Sequence, residues 1–150
     1  MFARAVIAFL LMPGLVAIAV PLLAGLRQLG SGGGFSATGL LPLGMGLVLL
    51  LWCVYEFYVS GKGTLAPWSP PRHLVTSGLY RYSRNPMYVA VVLMLFGWSV
   101  CFRSPALATY TAFMFAVFHL RIVFGEEPWL ARTHGKSWEE YRARVPRWLI

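Results

Sequence analysis

The sequence predicts an all-α integral membrane protein with about four transmembrane helices and a C-terminal amphipathic helical tail. Hydrophobic residues make up 58% of the 150 residues and charged residues only 12%, which is far from the composition of a soluble globular protein. Long apolar runs are separated by short connections rich in Gly, Pro or Arg. The last run is followed by a polar segment with helical periodicity. We expect residues 1–150 to form a single membrane domain.

The first two predicted spans lie before residue 60. The apolar run at residues 1–26 is longer than the hydrophobic region of a typical signal peptide, so we interpret it as a retained first span. The glycine-rich residues 30–34 lack the Lys-Ser/Thr of a phosphate-binding loop and are expected to form a flexible linker. A second span is predicted at about residues 40–59, where Gly44 and Gly46 favour close helix packing.

Glu56 is the one carboxylate in the second apolar run. An ionisable group in a membrane helix is costly, and this cost makes a functional role the default hypothesis. Glu56 also lies near the predicted end of the helix, where an interfacial carboxylate needs no special role. The sequence leaves both interpretations open.

Two further spans are predicted after a connection at residues 61–78 that is rich in Pro and Gly. The third span begins at residue 86 and ends near residue 102, and the fourth covers about residues 106–124. Residues 103–105 are expected to form a tight turn between them. The polar tail then occupies residues 125–150.

Positive charge is distributed very unevenly along this predicted topology. The chain has thirteen Lys and Arg residues and a net charge of +8. With four spans, all of these residues except Arg27 and Arg103 fall on the side that holds both termini and the 61–78 connection. The positive-inside rule places that side in the cytoplasm of a plasma membrane of the bacterial inner-membrane type. Anionic lipids, rather than nucleic acid, are the expected partners of this charge.

The two cysteines do not indicate a metal site or a disulfide. Cys53 and Cys101 both lie inside apolar runs, and the sequence has no CxxC pair and no Cys/His spacing of a zinc site. The sequence also contains no Asp, which disfavours a site with several carboxylates around a hard metal ion. We therefore predict no metal site.

The tail contains an amphipathic helix signal. Ser137 and Glu140 have the spacing of a capping box, and Trp138, Tyr141 and Val145 fall on one helical face. Such a helix suits a position on the membrane surface. It equally suits a lid over a cytoplasmic-side site, and the pattern does not decide between the two.

The stretch from Tyr80 to Tyr88 carries the first candidate site residues. Asn85 is predicted to cap the third span, and Pro86 fits the first helical position, where a missing N–H has no cost. Arg84 then lies beside exposed backbone donors at the positive end of a membrane helix. This combination predicts an anion site.

A second group of polar residues is expected at the same level. His119 and Glu126 are seven residues apart, so they share one face of an α-helix near the cytoplasmic end of the fourth span. With Glu127 and Arg84 they could bind a zwitterion, the Arg taking a carboxylate and the Glu an ammonium or hydroxyls. Each residue also has a simpler interpretation, such as topology, helix-start charge, or an aromatic belt for Tyr88. Their convergence on one membrane face favours a site.

Three motifs resemble those of the isoprenylcysteine carboxyl methyltransferase and phospholipid methyltransferase superfamily of membrane enzymes. They are Arg84-Asn85-Pro86-Met87-Tyr88, Glu126-Glu127, and the ending from Gly135-Lys136-Ser137-Trp138 to Val145-Pro146-Arg147. The resemblance implies a cofactor-binding methyltransferase core at residues 61–150, with residues 1–60 as anchoring spans. It implies S-adenosylmethionine held between the cytoplasmic helix ends and the tail. It also implies a lipid-like substrate that enters from the bilayer.

The resemblance also implies roles for individual residues. The expected cofactor-binding residues are Arg84, Asn85, Pro86, Tyr88, His119, Glu126 and Glu127, and the expected catalytic residues among them are Arg84, His119 and Glu126. Asn85 stands where the family has a histidine, which weakens an acid–base role at this position. Ala90 stands where a glycine is usual, and Gly125 and Pro128 flank the acidic pair.

These features predict methyl transfer to an isoprenylcysteine-type carboxylate or a phospholipid-type amine. A carboxylate needs no base, whereas an amine must lose a proton, which His119 or a Glu could accept. One alternative is an NADPH-dependent sterol-type reductase, because membrane sterol reductases have a similar ending; the Arg84–Tyr88 motif and the short chain argue against it. The other alternative is a non-catalytic membrane protein that binds anionic lipids through charge alone.

Overall fold

The computed structural model describes residues 10–60 and 73–149, and these residues are helical with no strand. The all-α fold class is thus confirmed for the described chain. The start of the first predicted span and most of the 61–78 connection lie outside the described residues.

The helices follow one another with short connections. In chain order they are a π-helical segment (Leu10–Ala19), α1 (Val20–Gly30), a 3₁₀ turn (Ala37–Gly39), α2 (Leu40–Val59), a 3₁₀ turn (Gly78–Arg81), α3 (Pro86–Cys101), α4 (Pro105–Arg121), a π-helical turn (Ile122–Glu126), α5 (Glu127–His134) and α6 (Lys136–Arg144). The predicted second and third spans agree with α2 and α3 to within one residue. Helix α2 starts directly after Gly39 and α3 starts at Pro86, in agreement with the use of Gly and Pro as helix boundary signals.

The fourth predicted span continues well beyond its expected end. We expected the helix to stop near residue 124, but helical structure runs without a break over Pro105–His134. Gly125 lies within the π-helical turn, and Pro128 lies shortly after it, in the first turn of α5. The tail therefore begins as a helical extension of α4.

Two of the four predicted spans are long and apolar enough to cross a membrane. These are Ala37–Glu56, with a mean hydropathy of 2.0, and Pro105–His134, with a mean hydropathy of 1.6. The apolar helices Gly14–Gly30 and Pro86–Cys101 are shorter than the 18 residues of a clear span. Within residues 10–60 and 73–149 there are thus two full-length spans, fewer than the four predicted.

The two long helices direct most of their apolar surface outward. Only 22% of the apolar window of Ala37–Glu56 and 11% of that of Pro105–His134 are buried, whereas the core helix of a soluble protein is mostly buried. Large side chains such as Leu41, Val48 and Phe113 are more than half exposed. Apolar surface of this extent suits a lipid environment.

Helix α3 is the centre of the bundle. Half of its residues are buried, and it packs against α2 and α4, with α1 and the π-helical segment near its C-terminal half. The main core joins Ala17, Leu50 and Phe118 from three surrounding helices to Ala90 and Leu95 of α3. This packing fixes the start of α3 relative to the end of α4, which is where the candidate site residues lie.

Helix α6 turns its apolar face toward the protein. Trp138, Tyr141 and Val145 are buried and pack against Leu74 and Leu130. Of the two positions that the sequence left open, the structure shows the helix folded back on the protein, as a lid would be. If α6 lay on the membrane surface with this face in the bilayer, Trp138, Tyr141 and Val145 would be exposed on the surface of the protein.

The predicted capping box is wrong. The helix begins at Lys136, with Gly135 at the capping position, and Ser137 lies inside the first turn without a capping hydrogen bond. Gly135 has a φ of 50°, a left-handed conformation that a glycine adopts without strain. This sharp turn ends α5 and lets α6 fold back.

The predicted close packing of α2 is confirmed at Gly46 and not at Gly44. A Cβ atom at Gly46 would lie 2.7 Å from the Ala90 carbonyl oxygen and 2.6 Å from the Cγ atom of Met94, whereas Gly44 has nothing within 4 Å. The absence of a side chain at Gly46 therefore lets the backbones of α2 and α3 approach closely.

We expect Gly46→Ala to destabilise the protein by about 1–3 kcal/mol, because the new methyl group forces α2 and α3 apart. Gly44→Ala is the matched control, and it should be neutral or slightly stabilising, because alanine favours a helix and the position is open. Thermal unfolding of both variants in the same detergent measures the difference. Equal melting temperatures would contradict the close packing.

Candidate functional site

The stretch before α3 is covered by the closing segment, residues 146–148, which follows α6. The Arg84 backbone N–H donates to the Pro146 carbonyl oxygen at 2.9 Å. The Ser83 hydroxyl and the Asn85 side-chain amide both donate to the Arg147 carbonyl oxygen, at 3.3 and 3.0 Å. These bonds dock the closing segment onto the start of α3.

Asn85 occupies the predicted capping position, with Pro86 as the first residue of α3. Its side chain, however, makes no capping hydrogen bond and contacts Arg147 instead. The expected cap is therefore a long-range clamp between the start of α3 and the closing segment. This role needs an amide donor and no proton transfer, which agrees with the weakened acid–base expectation at position 85.

Tyr141 holds α6 from the other side of the same stretch. Its hydroxyl donates to the Tyr80 carbonyl oxygen at 2.7 Å, and both tyrosines are buried. Burial raises the pKa of Tyr141, so the phenol keeps the proton that it donates. Helix α6 and the closing segment are thus hydrogen-bonded to the Tyr80–Tyr88 stretch on both sides of Arg84.

The centre of the site is one carboxylate shared by two guanidinium groups. Glu127 lies 3.1 Å from Arg84 Nη1, and the two side chains are 11% and 9% exposed. Arg147 donates to both oxygens of Glu127, from Nε at 2.8 Å and from Nη2 at 2.9 Å. This bidentate pairing is a strong, directional interaction. Two cations on one anion leave a net positive charge in the site.

Arg84 has donor capacity that the protein itself does not use. Its Nε and Nη1 atoms are buried without a hydrogen-bond acceptor, because the approach of Nη1 to Glu127 is an ion pair without hydrogen-bond geometry. The guanidinium lies over the Trp138 ring, 5.5 Å from its centroid, at a distance typical of a cation–π contact. Burial lowers the pKa of Arg84, and the charge of Glu127 opposes this shift.

Buried N–H groups of this kind normally have an acceptor. A carboxylate is a suitable acceptor, because it would neutralise the excess positive charge as well as accept the free N–H groups. The residues of the site therefore fit the amino-acid part of the cofactor that the sequence resemblance implies. The exposed backbone donors that we predicted beside Arg84 are engaged, since the Arg84 N–H donates to Pro146 and the Asn85 N–H donates to the Ser83 hydroxyl. Glu127 is an internal partner of the Arg84 guanidinium.

Glu126 belongs to a second, more open cluster. Its Oε1 atom accepts hydrogen bonds from the Tyr88 hydroxyl and from Arg121 Nε, the latter at 3.0 Å. The Tyr88 ring packs on Phe118, with the ring centroids 4.8 Å apart. Glu126 is 34% exposed, so its carboxylate can still meet an incoming group.

Arg121 is a residue of this cluster that the sequence did not indicate, because its charge was explained by the positive-inside topology. Residues 121 and 126 are five apart, a spacing that does not pair side chains on an α-helix. The π-helical turn at Ile122–Glu126 brings them together, because it holds more residues than an α-helical turn. The Gly125-Glu126-Glu127-Pro128 sequence was the only local signal of an irregular helix here.

The same turn separates His119 from Glu126, which we expected on one helical face. His119 Nδ1 accepts a hydrogen bond from Trp148 Nε1 at 3.3 Å, and the two rings stack. Glu126 pairs with Tyr88 and Arg121. Nδ1 of His119 is thus already engaged as a hydrogen-bond acceptor.

His119 lines an open apolar groove of about 500 Å³ beside the site. The lining residues are Phe115, Ala116, His119, Leu120 and Trp148. Phe115 and Leu120 are 42% and 55% exposed, so the groove opens on the outward face of a long apolar helix. Trp148, which the sequence did not single out, forms its boundary on the side of the closing segment.

The fold and the site define a class: a small, all-helical membrane-type protein with an arginine–glutamate site under a C-terminal lid. Comparison with protein families gives the family itself. Residues 35–137 match the family model described as phospholipid methyltransferase, so the chain belongs to this family and to its superfamily of membrane methyltransferases. The match includes α2 to α5 and ends within the first turn of α6, so it contains the acidic pair and the Arg84–Tyr88 motif.

Three relatives with assigned names are also similar. The cobalt-zinc-cadmium resistance protein of Cupriavidus metallidurans is 31% identical over 72% of this chain and 45% of its own length. The nickel-cobalt-cadmium resistance protein of Alcaligenes xylosoxydans is 30% identical over 72% of this chain and 46% of its own length. The Delta(14)-sterol reductase of Mus musculus is 29% identical over 61% of this chain and 22% of its own length.

The chain thus spans less than half the length of each of these relatives. No solved structure matches it.

We expect Glu127→Gln to destabilise the protein by about 3 kcal/mol, because it leaves two guanidinium groups without their common anion. Glu139→Gln makes the same chemical change on the exposed face of α6 and should shift stability by less than about 0.5 kcal/mol. Thermal unfolding in detergent compares the two variants. A Glu127→Gln protein as stable as Glu139→Gln would show that the shared carboxylate does not hold the lid.

Proposed function

We propose that this protein transfers a methyl group from S-adenosylmethionine to a lipid-like acceptor at the cytoplasmic face of the membrane. The observation that carries the proposal is Arg84, whose buried N–H groups have no acceptor, inside the segment that matches the family. A non-catalytic protein that binds lipid headgroups through charge would keep such donors exposed. Here they are enclosed by Trp138 and Glu127.

Each candidate residue has a role in this proposal. Arg84 would bind the carboxylate of the cofactor, and Glu126, with Tyr88, would bind its ammonium group or hydroxyls. Asn85 and Pro86 fix the backbone that carries Arg84, and Glu127 orients its guanidinium. When bound, S-adenosylmethionine supplies a methyl group that its sulfonium centre has already activated. The protein then has to align the acceptor and exclude water.

The apolar groove supports a lipid-like acceptor. Its lining continues the outward apolar surface of α4, so a hydrocarbon chain can enter it from the bilayer without crossing water. His119 and Trp148 place hydrogen-bonding groups at one side of the groove. The group of this lipid that accepts the methyl would then lie near Glu126, at the end of the same helix.

Glu126 is the better candidate for a base. The acceptor nitrogen of His119 is engaged by Trp148, whereas Glu126 is partly open. An amine acceptor would lose its N–H proton to Glu126 as its lone pair forms the new N–CH₃ bond. A carboxylate acceptor would react without this transfer. His119 would then orient the acceptor.

We further propose that all four apolar helices cross the membrane, with both termini in the cytoplasm. The first helix covers residues 10–30 when its π-helical part is included, which is within the length of a spanning helix. Helix α3 has 16 residues, slightly short of the usual range, and the polar stretch before it would lie in the headgroup region. The positive-inside rule supports this orientation.

The sterol-reductase alternative keeps one specific observation in its favour. The mouse relative is similar over 61% of this chain, so a nicotinamide cofactor is the appropriate competitor in a binding experiment. The family match and the arginine–glutamate site favour the methyltransferase. NADPH is therefore included in the first test.

We expect the detergent-solubilised protein to bind S-adenosylhomocysteine with micromolar affinity in a calorimetric titration. Arg84→Lys should weaken this binding about tenfold, because lysine lacks the fork of donors and the flat cation of arginine. Arg144→Lys is the matched control, since Arg144 is exposed on α6, and it should bind like the wild type. Binding of NADPH alone would favour the reductase, and binding of neither ligand would favour the lipid-binding protein.

We expect Glu126→Gln to lower the methylation rate of a phospholipid-type amine about 100-fold or more at saturating cofactor, because the amine loses its base. The rate with an isoprenylcysteine-type carboxylate should change only a few-fold. Transfer of radiolabelled methyl groups in liposomes measures both rates, with Glu139→Gln as the control. Equal losses with the two acceptors would assign Glu126 to cofactor binding and not to proton transfer.

A further inference from the structure

Glu56, the carboxylate near the end of α2, makes specific contacts with the connection that leads to the site. Its Oε2 atom accepts a hydrogen bond from the Ser77 hydroxyl at 2.7 Å. The same oxygen accepts a longer bond, 3.2 Å, from Ser60 at the end of α2. Ser77 directly precedes the 3₁₀ turn Gly78–Arg81. Glu56 is therefore a tether and not an isolated interfacial charge.

The second carboxylate oxygen lies against the backbone of the same turn. A Cβ atom at Gly78 would be 2.5 Å from Glu56 Oε1, and Gly78 has a φ of 56°. A larger residue would have to displace the carboxylate and adopt a left-handed backbone conformation, which costs energy for any residue other than glycine. Both oxygens of Glu56 thus fix the start of the turn, one by a hydrogen bond and one by close contact.

The turn connects directly to the lid. Tyr80 lies within it, and its carbonyl oxygen accepts the hydrogen bond of Tyr141 in α6. Its buried side chain packs with Cys53 of α2 and with Val75. Arg84 follows four residues later. A displacement of this turn would therefore move both the lid and the backbone of Arg84.

We infer that Glu56 is a positioning residue of the candidate site, because it fixes the turn Gly78–Arg81 and, through Tyr80, the placement of α6 over Arg84. The inference rests on the proposed function for its link to cofactor binding. Glu56 contacts none of the proposed cofactor-binding residues, so its effect passes entirely through the turn. It gives α2 a specific role in the site as well as a role in the membrane anchor.

The first experiment measures S-adenosylhomocysteine affinity in variants of the tether. Glu56→Ala and Ser77→Ala should each weaken binding about tenfold, the effect of losing one hydrogen bond to a charged group. The double variant should be no weaker than either single variant, since both remove the same contact. Glu56→Gln should recover most of the affinity, because its amide oxygen still accepts from Ser77. The maximal rate at saturating cofactor should change less than about twofold.

Two controls separate positioning from general destabilisation. Ser60→Ala removes the bond that Glu56 makes within its own helix and the longer contact between the Ser60 and Ser77 hydroxyls, 3.2 Å. It leaves the shorter Glu56–Ser77 bond, so its affinity should stay within about twofold of the wild type. Gly25→Ala places a methyl group against the Phe102 ring, at the end of the central helix that is far from the turn, so it should lower stability and leave the affinity unchanged. If Gly25→Ala and Glu56→Ala both lost affinity in proportion to their loss of melting temperature, the positioning role would be excluded.

Hydrogen exchange tests the tether independently of the cofactor. In Glu56→Ala, the amides of Gly78–Arg81 and Lys136–Arg144 should exchange at least tenfold faster, while those of the central helix Pro86–Cys101 keep the wild-type rate. If the wild type binds no S-adenosylhomocysteine but this exchange pattern appears, the proposed function fails and the coupling of Glu56 to the lid stands. The inference would be overturned if Gly78–Arg81 and Lys136–Arg144 exchanged at the wild-type rate in Glu56→Ala. The affinity of this variant for S-adenosylhomocysteine, where the wild type binds it, would then also be unchanged.

Discussion

The rest of the site depends on the two ion pairs that the Glu127 carboxylate forms, with Arg84 and with Arg147. A buried guanidinium is stable only when an anion and hydrogen bonds replace its hydration. Glu127 supplies the anion for Arg84 and for Arg147, which belong to the stretch before α3 and to the closing segment. One charge on α5 thus joins three parts of the chain that are distant in sequence. The lid, the groove and the free donors of Arg84 all take their positions from this junction.

Much of the helical framework could be predicted from the sequence, because it follows from local patterns. The bounds of α2 and α3 coincide with the ends of apolar runs and with Gly or Pro, and Pro86 begins its helix as expected. The packing partner of Gly46 was not predictable in detail, since Gly44 has the same local context and faces open space. The fourth apolar helix was predicted too short, because the polar residues after position 124 do not end the helical structure.

Only part of the membership of the candidate site could be predicted, since Arg121 and Trp148 were not indicated by the sequence. The residues Arg84, Asn85, Glu126 and Glu127 do lie near the junction of α3, α5 and the closing segment. Their partners, however, come from long-range contacts: Asn85 meets Arg147, and His119 meets Trp148. The capping box failed for a related reason, because burial of Trp138 and the turn at Gly135 decide where α6 begins. Local spacing carries no information about either effect.

The π-helical turn at Ile122–Glu126 gives one continuous helix two independent environments. Before the turn, α4 has exposed apolar side chains, and after it α5 directs Glu127 into the polar junction. The extra residue of the π-helical turn rotates the side chains of α5 about the helix axis relative to those of α4. The thickness of the bilayer can therefore constrain the length and composition of α4 without dictating the angle at which the acidic pair faces its arginines. Adaptation to a different membrane and retention of the polar site are, in this architecture, separable problems.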